Sequence, residues 1–281
     1  FLDSASLQWQ KQRKCFTCHT NYAYLYARPT WGGRSAANQT VREFAYKLVE
    51  QRWKEQGPRW DAEIVATAAA LAYNDAATLD TLHPVTRQAL DKIASIQRED
   101  GGFDWLKCNW PPFESDDHYG VTLAAVAIGV APDGYAQTPR GRQMLKGIRR
   151  YLKANKPPGL HHRAMQLWAS SYLDGILTDV QKRQTIRDLL AIQKPDGGWG
   201  LATLGKWVRS DDKPQDTNSS DGYGTGFVVF VLRRAGVAAT DPHIRKGVTW
   251  LKSNQRRSGR WWTRSLHKDN RHFITHAGSA F

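Results

Sequence analysis

The sequence predicts an all-α chain, a single (α/α)6 toroid of six helical hairpins spanning residues 1–281, with the last hairpin incomplete. Three observations predict it. A turn pattern recurs in Gln97-Arg-Glu-Asp-Gly-Gly-Phe103, Gln193-Lys-Pro-Asp-Gly-Gly-Trp199 and Gln255-Arg-Arg-Ser-Gly-Arg-Trp261, each a Gln six residues ahead of an aromatic, and Gln10 to Phe16 keeps the spacing. The Gln closes a segment with helical apolar spacing, such as Leu90, Ile93, Ala94 and Ile96, or Ile186, Leu189, Leu190 and Ile192. Beyond the turn comes a second segment, 119–130 or 223–232, that is apolar nearly all round and therefore has to be buried.

Taken in order, hairpin one runs through Gln10 and Phe16 into the segment that follows. Hairpin two pairs 40–54 with 61–73. Hairpin three leads through Gln97 to 119–130, hairpin four pairs 138–154 with 161–173, and hairpin five leads through Gln193 to 223–232. Hairpin six has barely begun its inner helix at Ile274-Thr275-His276 when the sequence stops at Phe281. The outer helices are amphipathic, and three open with proline after a capping residue, at His83-Pro84, Thr138-Pro139 and Asp241-Pro242, where the missing N–H is of no consequence. Asp-Gly-Gly ends the helix at the Gln97 and Gln193 turns because glycine reaches left-handed dihedrals without steric cost. The unfinished sixth hairpin reads as a fragment, a processed form or one module of a longer chain, completed by downstream sequence or a second chain.

The composition is that of a soluble globular protein, 41% hydrophobic and 23% charged. Lys and Arg number 40 against 26 Asp and Glu, a net +14 that suits acidic protein partners or anionic surfaces. The charge is dispersed and accompanies no nucleic-acid motif, so no nucleic-acid role is expected. No apolar run approaches the roughly 18 residues of a transmembrane segment. Three cysteines make no disulfide framework.

The Gln-to-aromatic turns resemble the QW repeats of the squalene-hopene cyclase and protein prenyltransferase superfamily, and the resemblance extends over nearly the whole chain. It implies an α/α toroid with chemistry on one rim, and that superfamily also includes binding proteins without catalysis. Glu114-Ser115-Asp116-Asp117 resembles the cyclases' DxDD motif, whose middle Asp protonates an alkene; on that resemblance Asp116 is the acid, with Asp117 and His118 beside it. Glu replaces the first Asp and His118-Tyr119 replaces the family's Thr-Ala. Carboxylates at a helix start also serve as caps, which stabilises their ionised form.

Cys15-Phe16-Thr17-Cys18-His19 spells CxxCH, the attachment signature of haem c. Two thiols add across the vinyl groups and the adjacent His19 becomes the proximal iron ligand, which makes Cys15 and Cys18 the covalent tethers of a single haem. A dithiol redox motif would follow a strand, and none is patterned here; a structural zinc site would need a second ligand pair. Phe16 occupies the aromatic position of the first repeat, so the attachment turn belongs to the same rim as the starts of the inner helices. That rim carries Asp116, Asp117, His118 and Tyr119, then His161 and His162, then Ser220, Asp221 and Tyr223, and finally His276. His118, His161 or His162 are the distal-ligand candidates, with His276 and Met165 behind them, and Tyr223 is a cofactor contact. Cys108 is either a buried thiol or a further haem contact.

These readings combine into an exported, periplasmic or otherwise extracytoplasmic c-type haem protein on a cyclase-like toroid, working in electron transfer with a redox partner protein of acidic surface, or as a haem oxidoreductase. The alternative is a terpenoid cyclase-like enzyme with Asp116 as general acid.

Overall fold

The computed structural model describes residues 1–13, 17–30, 35–269, 274 and 278–280. Its helices are α1 (Leu2–Arg13), α2 (Ala23–Ala27), α3 (Ala36–Lys47), α4 (Trp53–Gln56), α5 (Asp61–Thr78), α6 (Pro84–Ile93), α7 (Asp117–Val130), α8 (Pro139–Ala154), α9 (Leu160–Ala169), α10 (Asp179–Ala191), α11 (Gly222–Arg234) and α12 (Pro242–Asn254). No β-strand occurs among the described residues, so the all-α class stands. No described helix is long and apolar enough to cross a membrane.

The chain forms two compact units. One comprises 2–107 with 114–156, the other Phe1, 108–113 and 157–281. In the first, α5 packs against α6 and α7, α7 against α8, and α1 against α3. In the second, α9 packs against α10 and α11, and α11 against α12. The same rule operates in both: inner helices lie side by side, and each outer helix covers the inner helix that precedes it. Composition explains the division of roles. In α7 every residue from His118 to Ile128 is buried, and in α5 every residue from Ile64 to Asp75. By contrast α8 buries only one stripe, with Met144, Leu145, Ile148, Tyr151 and Leu152 inward and its basic residues outward.

The expected helix starts are present. His83, Thr138 and Asp241 each accept a backbone N–H from the first turn, immediately ahead of Pro84, Pro139 and Pro242. The expected 40–54 helix begins earlier, at Ala36 capped by Ser35, and passes through a widened turn, Leu48–Arg52, into α4. The expected 161–173 helix closes at Ala169.

The recurring Gln turns have one physical design. Gln97 Nε2 donates to Gly101 O at 3.1 Å, Gln193 Nε2 to Gly197 O at 2.8 Å, and Gln255 Nε2 to Gly259 O at 3.2 Å. In each turn that glycine is left-handed, with φ of 92°, 89° and 80°. The same amide reaches the next outer helix as well, Gln97 to Met144 O and Gln193 to His243 O. Trp199 is wholly buried, donates through Nε1 to Leu189 O at 2.7 Å, and lies against Gly247 of α12, where a Cβ would meet its ring at 2.8 Å. The turns at Gln97 and Gln193 are therefore staples between successive hairpins.

Candidate functional site

Cys15 and Phe16 lie outside the described residues, as do the side chains of Cys18 and His19 and all of His276. The backbone of Cys18–Tyr22 forms one widened helical turn that runs directly into α2. This segment is anchored firmly. Asn21 Nδ2 donates to Ser6 O of α1 at 3.2 Å, the Tyr22 hydroxyl pairs with Thr67 Oγ1 of α5 at 2.8 Å, and Asn74 Nδ2 of α5 donates to Leu25 O. Thr20, Asn21, Tyr24 and Leu25 are buried.

α5 also packs against α7, whose head carries the next candidates. Asp116 caps it, accepting the Tyr119 N–H at 3.1 Å. Asp117 is tied down by Arg98 at 3.0 Å, by Lys107 at 3.1 Å and by the Trp105 N–H at 3.1 Å, so it binds the preceding Gln turn to the helix. His118 is buried and sits edge-on to Tyr151 of α8, ring centroids 6.5 Å apart. These carboxylates therefore occupy a cap and an ion-pair network.

In the second unit, the heads of α9 and α11 meet. His161 Nε2 and the Tyr223 hydroxyl share a 3.0 Å hydrogen bond, and both groups are completely buried. The His161 ring stacks on Phe227 at 4.6 Å and on Tyr223 at 5.9 Å, while His162 and Trp207 meet it edge-on at 5.8 and 6.1 Å. Phe113 closes on Tyr223 at 5.7 Å. Burial pushes the Tyr223 phenol well above its ordinary range, so it stays protonated. Asp221 caps α11 through Gly224 N–H at 2.8 Å and also accepts the Leu201 N–H at 2.6 Å and the Thr263 hydroxyl at 3.2 Å. Burial nevertheless pushes its carboxyl up to about 6. Met165 is buried within α9.

The structure thus brings His161, His162 and Tyr223 together, and places Asp116, Asp117 and His118 at a single helix head. Cys108 is exposed, which corrects its reading as a buried thiol; it lies in an open loop beside the exposed Lys107 and Asn109. Trp207, Phe227 and Phe113 escaped the sequence reading because a single aromatic carries no period. Among the described residues no three His, Cys, Asp or Glu side chains converge as a metal site.

Residues 169–273 match the family model of the squalene-hopene cyclase C-terminal domain. The matched span holds α10, α11, α12, two of the Gln turns, Asp221 and Tyr223; His161 and His162 precede it. This part of the chain is a cyclase-like helical domain. No curated protein matches the chain.

Proposed function

We propose that the chain is a c-type haem protein built on a cyclase-like α/α scaffold, exported to an extracytoplasmic compartment and acting in electron transfer or as a haem oxidoreductase. The single observation that carries this reading is Cys15-Phe16-Thr17-Cys18-His19, two thiols three residues apart followed by an imidazole. The donor set fits the group: Cys15 and Cys18 would tether it and His19 would ligate its iron. When bound, the group supplies a one-electron iron couple. The chain's own contribution is positional. Asn21 and Tyr22, pinned to α1 and α5, hold the turn that bears His19, and Tyr24 and Leu25, both buried, fix the helix that follows it. Of the distal candidates named from the sequence, His118 is buried in the same unit as this turn.

The test is an absorbance spectrum of protein produced with a cytochrome c maturation system, oxidised and reduced. Electron transfer predicts a six-coordinate low-spin iron; an oxidoreductase predicts a site that binds carbon monoxide or cyanide. His118→Ala, His161→Ala and His162→Ala identify the distal ligand by which one converts a six-coordinate spectrum to a five-coordinate one.

The family match over 169–273 favours a second reading, a terpenoid cyclase-like enzyme with Asp116 as general acid and Asp117 and His118 as its neighbours. It predicts conversion of a polyprenoid without any redox partner, and loss of that turnover in Asp116→Asn. Against it stands the cap that Asp116 forms: its carboxylate is engaged by the Tyr119 N–H at 3.1 Å at the head of α7, a structural role in place of proton delivery.

A further inference from the structure

The loop between α10 and α11 holds Trp207 against His161, and its attachment is unusual in composition. Trp207 is half-buried, whereas the His161 ring beneath it is completely buried. Gly205, at the start of this stretch, abuts the residue ahead of α9: a Cβ on Gly159 would meet Gly205 Cα at 3.2 Å. From Trp207 to Gln215 the loop is fastened to the segment 264–269 by side-chain and backbone bonds. Arg209, whose side chain is fully buried, donates to Asp211 at 2.7 and 2.8 Å, to Asp269 at 2.8 Å and to Ser265 O at 2.6 Å. Asp269 is gripped further by Arg264 at 2.9 Å and Lys213 at 2.9 Å, and its own N–H donates to Asp211 Oδ2. Ser210 N–H donates to His267 O at 2.8 Å, and Gln215 Nε2 bridges Trp207 O and Leu266 O at 3.1 and 2.8 Å.

From this geometry we propose that residues 205–215 are a lid over the His161–Tyr223 pair, latched shut by the Arg209–Asp211–Asp269–Arg264–Lys213 ion cluster. The lid meets the inner helices through Gly205 and the Trp207 ring, and the C-terminal segment through the ion cluster and the bonds of Ser210 and Gln215. An ion cluster suits a latch because its strength depends on every partner being present: three cations share two carboxylates, so removing one carboxylate turns attraction into repulsion and leaves a buried guanidinium short of a counter-charge. An apolar seam would not have this all-or-none property. The two anions are held well below the usual carboxylate range, Asp211 chiefly by Arg209 and Asp269 chiefly by Arg264 and Lys213, so the latch stays charged at every physiological pH. The inference is independent of the haem reading, since it concerns access to His161 whatever occupies that site.

Carbethoxylation of individual histidines by diethyl pyrocarbonate, read by peptide mass spectrometry, tests the lid directly. In the wild type His161 should react slowly. Asp269→Asn should accelerate its labelling by about tenfold through loss of one of the two counter-charges of the buried Arg209 guanidinium, with His118 in the other unit unchanged. Trp207→Ala removes the roof and leaves the latch, and should also expose His161. If Asp269→Asn raises His118 labelling equally, the variant has loosened as a whole, and Arg264→Gln, which removes one half-buried partner of Asp269, takes its place with an expected rise of about threefold. Wild-type His161 labelling in Trp207→Ala, in Asp269→Asn with His118 protected, or in the substitute Arg264→Gln would overturn the lid.

Discussion

At the scale of single residues, glycine conformation and carboxylate burial give the sharpest expectations. Gly101 is left-handed, and a Cβ there would lie 2.0 Å from Gly147 O, a backbone atom that cannot step aside. Gly57 is left-handed too, at φ 72°, but nothing approaches within 4 Å of its Cβ position. Gly57→Ala should therefore cost about 1 kcal/mol, the dihedral penalty alone, and Gly101→Ala at least about 3 kcal/mol because the staple to α8 must separate. Chemical denaturation of the two variants measures the difference. Asp221 supplies the pH expectation. Its folded-state carboxyl is raised to about 6, so its contribution is most favourable below the unfolded value near 4 and is lost as pH rises through about 6, a penalty of about 3 kcal/mol at neutral pH. Relative to Asp221→Asn, the wild type should gain stability between pH 7 and pH 4, measured as the difference in Tm at each pH. A difference that stayed constant would mean that its three hydrogen bonds hold Asp221 ionised.

At the scale of elements, the Gln turn is the repeating joint. Gln193 makes two bonds, one within its turn and one to α12, whereas Gln255, which is exposed, makes one among the described residues, within its own turn. Gln193→Ala should cost about 2 kcal/mol and Gln255→Ala less than about 1 kcal/mol in thermal unfolding, following the number of buried bonds lost. Trp199→Ala empties a fully enclosed site and should cost about 3–5 kcal/mol. Much of this level was legible in the sequence. The spacing of Gln, Gly-Gly and aromatic located the turns, and the uninterrupted apolar runs located α7 and α11, because both signals are local. Partnership was less legible. That each outer helix covers the preceding inner one depends on loop length and on small residues such as Gly147 and Gly247, which leave no periodic mark. The ion cluster around Arg209 was invisible for the same reason: its partners are some 60 positions apart. Asp116 and Asp117 were legible as a helix-start pair, but their commitments to the Tyr119 N–H, Arg98 and Lys107 were not, since those need three dimensions.

At the scale of the whole molecule, two sequence signals meet in one chain. The Gln turns and the match over 169–273 mark a cyclase-like helical scaffold, and CxxCH, at the position where the first such turn would fall, is the thioether attachment site proposed above. Haem attachment and cyclase chemistry make opposite demands on the dependence of function on Cys15 and Cys18: the first requires both thiols, the second neither. The net charge of +14 also bears on this level, since a redox partner with an acidic face would associate faster at low ionic strength. Intact-mass spectrometry of the protein, made alongside the machinery for cytochrome c maturation, decides the central claim. The haem reading predicts a polypeptide heavier by one haem that survives denaturation, with the adduct mapped to the peptide holding Cys15 and Cys18 and abolished in Cys15→Ser/Cys18→Ser. A bare polypeptide mass under those conditions would contradict it.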